Sequence, residues 1–367
     1  MSRARRSLVV AVLLGISCAP HRPADPWQAV EIPTDASFGG MWFTDSLNGW
    51  ITGGGYRVEG GIVGRTRDGG RTWRFQSGVL AGGGTDFSLG GVQFRDSLRG
   101  CSVGYGGIVM VTDDGGVSWR SVRYGRSSGD GLARVQFLDS QNGWAVGTAS
   151  VIRTKDGGES WGYLLTNSSE NGYLTPHAIH MVDGWRGWLT GHTGNLMRTD
   201  DAGVTWKPVP LPLRAGEHPI LWDVTFADES HGWVVGEGGA IFHTLDAGMT
   251  WTRQENGVPI VRVIPKGEAP RPHEVVPELE TPPDRLTLSA VRFLDSDHGW
   301  ATGYYSDVGE SAILRTDDGG ATWRLERRVP GELLRSLFVL DPDHAWAAGD
   351  RSRTAPQVVM RYSRTGA

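Results

Sequence analysis

One eight-residue stretch occurs six times and constrains the fold more than anything else in the chain. Its first copy is Thr66-Arg67-Asp68-Gly69-Gly70-Arg71-Thr72-Trp73, and the pattern is Thr-x-Asp-x-Gly-x-Thr/Ser-Trp. The other copies end at Trp119, Trp161, Trp206, Trp251 and Trp323, so successive tryptophans lie 46, 42, 45, 45 and 72 residues apart. The chemistry reads as a turn joining two antiparallel strands. The Asp accepts hydrogen bonds from backbone N–H groups further along, the Gly takes a conformation other residues resist, and the hydroxyl residue bonds back to the Asp. The Trp then buries a large apolar surface and anchors the hairpin. A repeat of about 40–50 residues indicates a propeller or a solenoid.

A second signature, Phe-x-Asp-x-x-x-Gly-Trp, precedes the first. Clear copies run from Phe43 to Trp50, Phe137 to Trp144, Phe226 to Trp233 and Phe293 to Trp300, and weaker ones end at Cys101, Trp188 and Trp346. Together the two signatures divide each unit into four strands. Strand one ends at the Phe, strand two starts at Gly-Trp, strand three ends at the Thr and strand four starts at the second Trp. In the third unit these fall at about Ala133–Phe137, Gly143–Val146, Val151–Thr154 and Trp161–Leu164. Four-stranded units repeated radially are propeller blades, so the chain is expected to be all-β with seven blades. The seventh unit has Phe338, Trp346 and a third strand near Val358–Tyr362, but no fourth. Trp27-Gln28-Ala29-Val30 has the right alternation to supply it, closing the ring and removing a free strand edge.

Composition agrees. The 367 residues include 54 glycines, but also 16 tryptophans and 39% hydrophobic residues, which fits tight turns rather than disorder. A net charge of −5 gives no basis for nucleic-acid binding, which favours a basic surface. Arg3, Arg5 and Arg6 precede an apolar run, Leu8 to Ile16, and then Ser17 and Cys18, which is the layout of a secretory signal. Cys18 after Leu-Gly-Ile-Ser resembles a bacterial lipoprotein signal, although Gly15 stands where Leu is usual; cleavage near Ala19 is the alternative. Losing residues 1–17 removes three arginines and no acid, taking the charge from −5 to −8. The expected division is residues 1–18 as signal, 19–26 as tether and 27–367 as propeller, with a Pro-rich insertion at about 254–287 expected to be an irregular loop. The protein is expected in the cell envelope, lipid-anchored through Cys18 or free, as a monomer. The other cysteine, Cys101, stands where other units place a Trp and reads as a core residue.

Strand one lies nearest the axis. Counting back from its Phe, apolar residues fill positions 0 and −2 almost throughout, whereas −1 and −3 carry Gln93, Arg134, Gln136, His180, Asp223, Arg292 and Arg335. Period-two alternation puts this second set on the channel side. Arg134, His180, Asp223, Arg292 and Arg335 are therefore the candidate binding residues; charges paired with one another in a solvated channel are the competing reading. His231, His298 and His344 recur just before Gly-Trp, a repeated position that points to a turn role. His177 and His180, three apart on a strand, fall on opposite faces. No metal set, cofactor motif, nucleotide loop or serine elbow is present in the sequence, and none of these is expected to serve the protein.

The first signature is the pattern known as the Asp-box, or bacterial neuraminidase repeat. That resemblance implies that Asp68, Asp114, Asp156, Asp201, Asp246 and Asp318 are scaffold, on the face away from the usual binding face. The opposite face would then carry the insertion and the turns Gly53–Gly64 and Tyr304–Ser311. Sialidases share the box, but their Arg-Ile-Pro start is absent, Glu31-Ile32-Pro33 being the nearest match, and no Tyr–Glu pair is identifiable. The two signatures together, over about Trp27 to Tyr362, resemble the photosystem II stability and assembly factor family. The resemblance implies an exported seven-bladed propeller, often lipidated in bacteria, with no enzymatic activity. It implies binding of a reaction-centre precursor through an arginine-bearing patch, for which Arg134, Arg292 and Arg335 are the candidates. The expected partner is a protein. A sialidase-like or other glycoside hydrolase, or a glycan-binding propeller, is the alternative.

Overall fold

The computed structural model describes residues 25–55, 58–77, 88–123, 131–148, 150–166, 175–257, 261–263, 279–281, 286–305, 309–351 and 357–364. The expected signal, Cys18 and most of the expected tether lie outside these residues. Seven four-stranded antiparallel sheets follow the repeat. Blade 1 is β2 (Ser37–Phe43), β3 (Gly49–Gly55), β4 (Val58–Thr66) and β5 (Arg74–Ser77). Blade 2 is β6 (Leu89–Phe94), β7 (Gly100–Gly104), β8 (Ile108–Thr112) and β9 (Arg120–Arg123). Blade 3 is β10 (Leu132–Phe137), β11 (Gly143–Gly147), β12 (Ser150–Thr154) and β13 (Gly162–Thr166). Blade 4 is β14 (Pro176–Met181), β15 (Gly187–Gly191), β16 (Leu196–Thr199) and β17 (Lys207–Val209). Blade 5 is β18 (Leu221–Phe226), β19 (Gly232–Gly236), β20 (Ile241–Thr244) and β21 (Thr252–Gln254). The insertion that follows is not wholly irregular, because β22 (Val261–Val263) pairs with β23 (Leu279–Thr281) as a two-stranded ribbon. Blade 6 is β24 (Thr287–Phe293), β25 (Gly299–Tyr305), β26 (Glu310–Thr316) and β27 (Arg324–Pro330).

Blade 7 takes β28 (Glu332–Asp341), β29 (His344–Arg351) and β30 (Gln357–Ser363), and its outer strand is β1 (Trp27–Ile32). The pairing runs from Trp27 opposite Tyr362 to Ile32 opposite Gln357. Trp27 is buried, and its indole N–H donates to Glu326 Oε2 at 3.0 Å. The N-terminal strand thus closes the ring. The first strands of the blades, β2, β6, β10, β14, β18, β24 and β28, contact one another in sequence around the axis.

The two signatures lock neighbouring blades. In the Asp-box of blade 1, Thr66 donates to Asp68 at 2.8 Å, and Gly70 N–H donates to the Thr66 hydroxyl at 2.9 Å. Thr72 closes the turn with its N–H and its hydroxyl on the two Asp68 oxygens. These bonds favour the ionised form, and Asp114, Asp156 and Asp246 are held down to about 2 against the opposing effect of burial. The other signature makes an Asx turn: Asp45 Oδ1 accepts from the N–H groups of Leu47 and Asn48 at 2.8 Å each. The residue before Gly-Trp returns to this Asp in several blades, through Asn48, Asn142, Arg186, His231, His298 and His344.

Each Phe then fills a slot. Phe43 stacks on Trp346 of blade 7 at 3.6 Å and meets Trp73 of its own blade edge-on; Phe94 does the same between Trp50 and Trp119. The Phe ring lies so close over the Gly of Gly-Trp that a Cβ on Gly49 would come within 2.3 Å of it. Blade 7 solves this packing with a different pair. Its register sets Val339 opposite Ala345 and Phe338 opposite Trp346, so Val339, not Phe338, holds the Phe position. A smaller side chain at one position leaves room for a methyl at the other. In blade 2 Cys101 is fully buried in place of the Trp, its thiol pushed up to about 12 by desolvation. Phe137 there meets the Arg95 guanidinium at 4.9 Å instead of an indole.

Candidate functional site

Every first strand carries a β-bulge. The shift falls between Phe38 and Gly40, Leu89 and Gly91, Leu132 and Arg134, Pro176 and Ala178, Leu221 and Asp223, Leu288 and Ala290, and Leu334 and Ser336. The extra residue breaks the simple alternation from the Phe outward. Position −3, still in regular pairing, holds the buried Gly40, Gly91, Asp223 and Ser336 and the half-buried Arg134, whereas the bulged residues at −4, among them Ala133, His177, Trp222 and Arg335, are half-buried. The seventh register moves Arg335 from −3 to the bulge itself. At position −1 the two glutamines are stitches between blades. Gln93 bonds the Phe137 N–H and C=O, and Gln136 bonds those of Met181.

The five candidate binding residues come together near the axis. Asp223 is 2% exposed, and its Oδ2 accepts from Arg292 Nη1 at 2.6 Å and from Val291 N–H at 3.1 Å. Its Oδ1 accepts from Val224 N–H at 3.1 Å. Arg134 reaches across from blade 3. Its Nη1 donates to Gly39 O of blade 1 at 3.2 Å, and its Nη2 to Arg335 O of blade 7 at 3.4 Å. A Cβ on Gly39, Gly40, Gly90 or Gly91 would come within 3.0 Å of backbone atoms of the next first strand, so these glycines let the strands of blades 1, 2 and 3 approach closely at the axis. Desolvation lowers the Arg134 pKa; Asp223 opposes this, and Arg292 and Arg335 add to it. His180 is lowered to about 4, first by burial and then by Arg292.

Arg335 differs from the other two arginines. Its side chain is 42% exposed, stacks over Tyr304 at 5.4 Å, and brings Nε within 2.7 Å of Asp350 Oδ2, off-line for a hydrogen bond. Across the ring, on blades 4 and 5, the bulged His177 lies 4.4 Å from the bulged Trp222 and 4.8 Å from His192, ring centre to ring centre. His177 is lowered to about 4 by burial and by the neighbouring His192. His177 Nε2 and Trp222 Nε1 are both enclosed without a hydrogen-bond partner. Sequence reasoning missed Trp222, Tyr304 and the role of His177. The signal for the first and last was positional, since both sit four residues before the end of strand one, where the bulge recurs.

The arrangement is basic and aromatic, with its buried carboxylate already engaged. It suits recognition of a polar segment better than bond cleavage, which in glycosidases takes two available carboxyl groups.

The profile of the family described as "Photosynthesis system II assembly factor YCF48" matches residues 19–128 and 127–220. The photosystem II assembly lipoprotein Ycf48 of Synechococcus sp. (strain CC9902) is 25% identical over 171 residues, 44% of this chain and 49% of that one. The chain thus spans about half the length of that curated relative. The solved structure of YCF48 bound to a D1 peptide superposes with a TM-score of 0.66 at 21% identity, covering 92% of this chain and 97% of that one. The GH74 xyloglucanase of Xanthomonas campestris shares the architecture at 14% identity and a TM-score of 0.58, over 90% of this chain and 55% of that one. Architecture alone does not separate binder from hydrolase; the family match, over more than half of the residues, assigns the lineage. This chain belongs to the photosystem II assembly factor YCF48 family.

Proposed function

We propose that the protein is a non-enzymatic, exported assembly factor that binds a segment of a protein partner at the face opposite the Asp-boxes. Family membership is the observation that carries this reading. The solved relative holds a D1 peptide, and the resemblance implies a reaction-centre precursor as partner. Arg335, stacked on Tyr304 and half-open to solvent, is the arginine placed to meet an acidic or carboxylate group. Arg134, His180, Asp223 and Arg292 form the layer beneath and set its charge.

Titration calorimetry with a D1 peptide as probe tests the site. Arg335→Ala is expected to weaken binding roughly tenfold, as for a charge-assisted contact, while Arg67→Ala in an Asp-box leaves it unchanged. Equal binding by Arg335→Ala and the parent would remove Arg335 from the site. No binding by the parent would remove this precursor as partner.

Glycoside hydrolysis is the rival. Against it stands Asp223, whose two oxygens already accept from Arg292 and two backbone N–H groups. A panel of fluorogenic glycosides is expected to show no turnover; activity abolished by Asp223→Asn would replace the assembly reading.

Anchoring through Cys18 is part of the same proposal and is supported by the lipoprotein relative. Labelled palmitate should enter the protein, and Cys18→Ser should release it from membranes. Equal retention of the mutant would rule out this anchor.

A further inference from the structure

We propose that the Asp-box face of the ring is a docking surface for the lipid bilayer, and that exposed apolar residues of its turns sit in the bilayer interface. The proposal rests on the anchor reading above and adds the orientation of the whole molecule.

Two independent observations converge on this face. The first is where the chain enters. β1 begins at Trp27, opposite Tyr362, at the end of β30 that corresponds to the Asp-box ends of the other third strands. Pro26 O accepts from Ser363 N–H at 2.9 Å, which fixes the entry point there. Residues 19–24 are all that separate Asp25 from Cys18. Fully extended, that connection reaches about 25 Å. To put the opposite face on the same bilayer, the tether would have to climb the outside of blade 7. Six residues of strand alone take up roughly 20 Å, so almost no length would be left.

The second observation is the distribution of apolar side chains. Among the described residues, eight large hydrophobic side chains are exposed: Leu47, Leu98, Tyr105, Val117, Trp185, Val204, Leu245 and Met249. All but Tyr105 lie in the turns of the two signatures, which share one face because strands one to two and three to four turn at the same end of each blade. Several sit side by side. Ala202 N–H donates to Trp185 O at 2.8 Å, bringing Trp185 next to the box that holds Val204, and Gly115 N–H donates to Leu98 O at 2.8 Å beside Val117. Apolar side chains scattered singly over a surface are ordinary; a set confined to one face marks a contact.

A bilayer fits this set better than a protein. The residues form a broken ring of shallow tips rather than a groove, and Trp185, 68% exposed, has the amphipathic ring that favours the headgroup level. In the turns of blades 1, 2 and 4, where most of the tips lie, Arg67, Arg71, Arg95, Arg99 and Arg186 stand against eight aspartates, so these turns are net acidic and the contact is carried by the apolar tips rather than by charge.

The test uses the lipidated mature chain in vesicles of phosphatidylethanolamine and phosphatidylglycerol. Nitroxide labels are placed singly through Trp185→Cys, Leu98→Cys and Tyr105→Cys, and accessibility to oxygen and to a nickel chelate is read. The labels at 185 and 98 should be oxygen-accessible and shielded from nickel, and the label at 105 the reverse. Aqueous behaviour at all three, with the protein still vesicle-bound, overturns the docking and leaves the anchor intact. Shielding at 105 alone overturns the orientation. Spin–spin coupling between labels at 185 would show a second copy on this face instead of lipid and would also overturn the proposal. In chain 19–367, which lacks the anchor, Trp185→Ala should lower partitioning to these vesicles roughly fivefold, whereas Tyr105→Ala should not; equal loss from both would also count against it.

Discussion

Two alanines carry strain that the other Asp-boxes avoid. Ala202 and Ala247 occupy the position after the box Asp with φ of 63° and 56°, where Gly69, Gly115, Gly157 and Gly319 stand in the other boxes. The left-handed conformation costs a residue with a Cβ about 1–2 kcal/mol. Glycine relieves that strain but raises the conformational entropy of the unfolded chain, which offsets part of the gain, so Ala202→Gly should stabilise by about 0.5–1 kcal/mol. Denaturant unfolding of the single and double Gly variants would show it, and a loss of stability in both would contradict the strain argument. Histidines give a second expectation. His177, His180 and His243 are held at about 4 against an ordinary 6.5, mainly by burial. The unfolded chain therefore binds more protons between these values, so stability is full above pH 6.5 and falls as the pH drops toward 4. Each buried ring contributes at most roughly 3 kcal/mol to that fall. The box aspartates lose their contribution only lower, below their ordinary 3.8 and toward about 2. His180→Gln should flatten the upper part of the profile, measured as thermal midpoint against pH. At this scale the sequence was most legible where a residue recurs. The boxes could be read because six copies shared them, and the turn role of His231, His298 and His344 because that position recurs three times. The roles of Trp222 and Tyr304 could not, because each occurs once and depends on a neighbouring blade.

Strands were legible to within a residue or two, with one instructive slip. Phe338 is the only Phe near the end of the seventh first strand, yet Val339 fills the slot because Ala345 replaces the Gly beneath it. The pair changes together, and a search for Phe alone lands one residue early. The bulges were invisible for a different reason. Period-two counting assumes unbroken pairing, and no local residue type marks the break: Gly39, Gly90, Ala133, His177, Trp222, Ser289 and Arg335 all occupy it. Closure by β1 was legible because Trp27 opens a strand whose alternation matches an empty edge. It also yields a sharp expectation. Deleting residues 19–33 removes the Trp27 packing, and truncating one buried Trp typically costs about 3–5 kcal/mol; the lost pairing with β30 adds to this. Deleting residues 19–24 should change little. Thermal unfolding of the two truncations, with sedimentation to detect association through the exposed edge, separates them. Equal melting by both as monomers would mean that β1 contributes nothing to the ring.

On the scale of the whole ring, the two faces differ in kind. The Asp-box face is made of short turns with fixed hydrogen bonds, and the chain enters there. The opposite face carries the mouth of the axis with Arg335, Tyr304 and the His177–Trp222 pair. Between them Arg134 crosses from blade 3 to blades 1 and 7, so it ties together strands that are far apart in sequence. Arg134→Ala should therefore loosen the ring as well as change its charge. Hydrogen exchange of the β2 and β28 amides is expected to rise, and unchanged protection there would show that Arg134 fills the axis without bracing it. The closing strand has a further consequence, for the order in which the protein is made. β1 leaves the ribosome before every other strand of the ring, and its partner β30 after all of them. While the strands between them are made the opening strand lacks its sheet partner, and the ring can be sealed only once residue 363 has emerged. Closure is thereby the last step in building the ring, and a ring interrupted at any earlier strand carries two unsatisfied edges by which it can be told from a closed one.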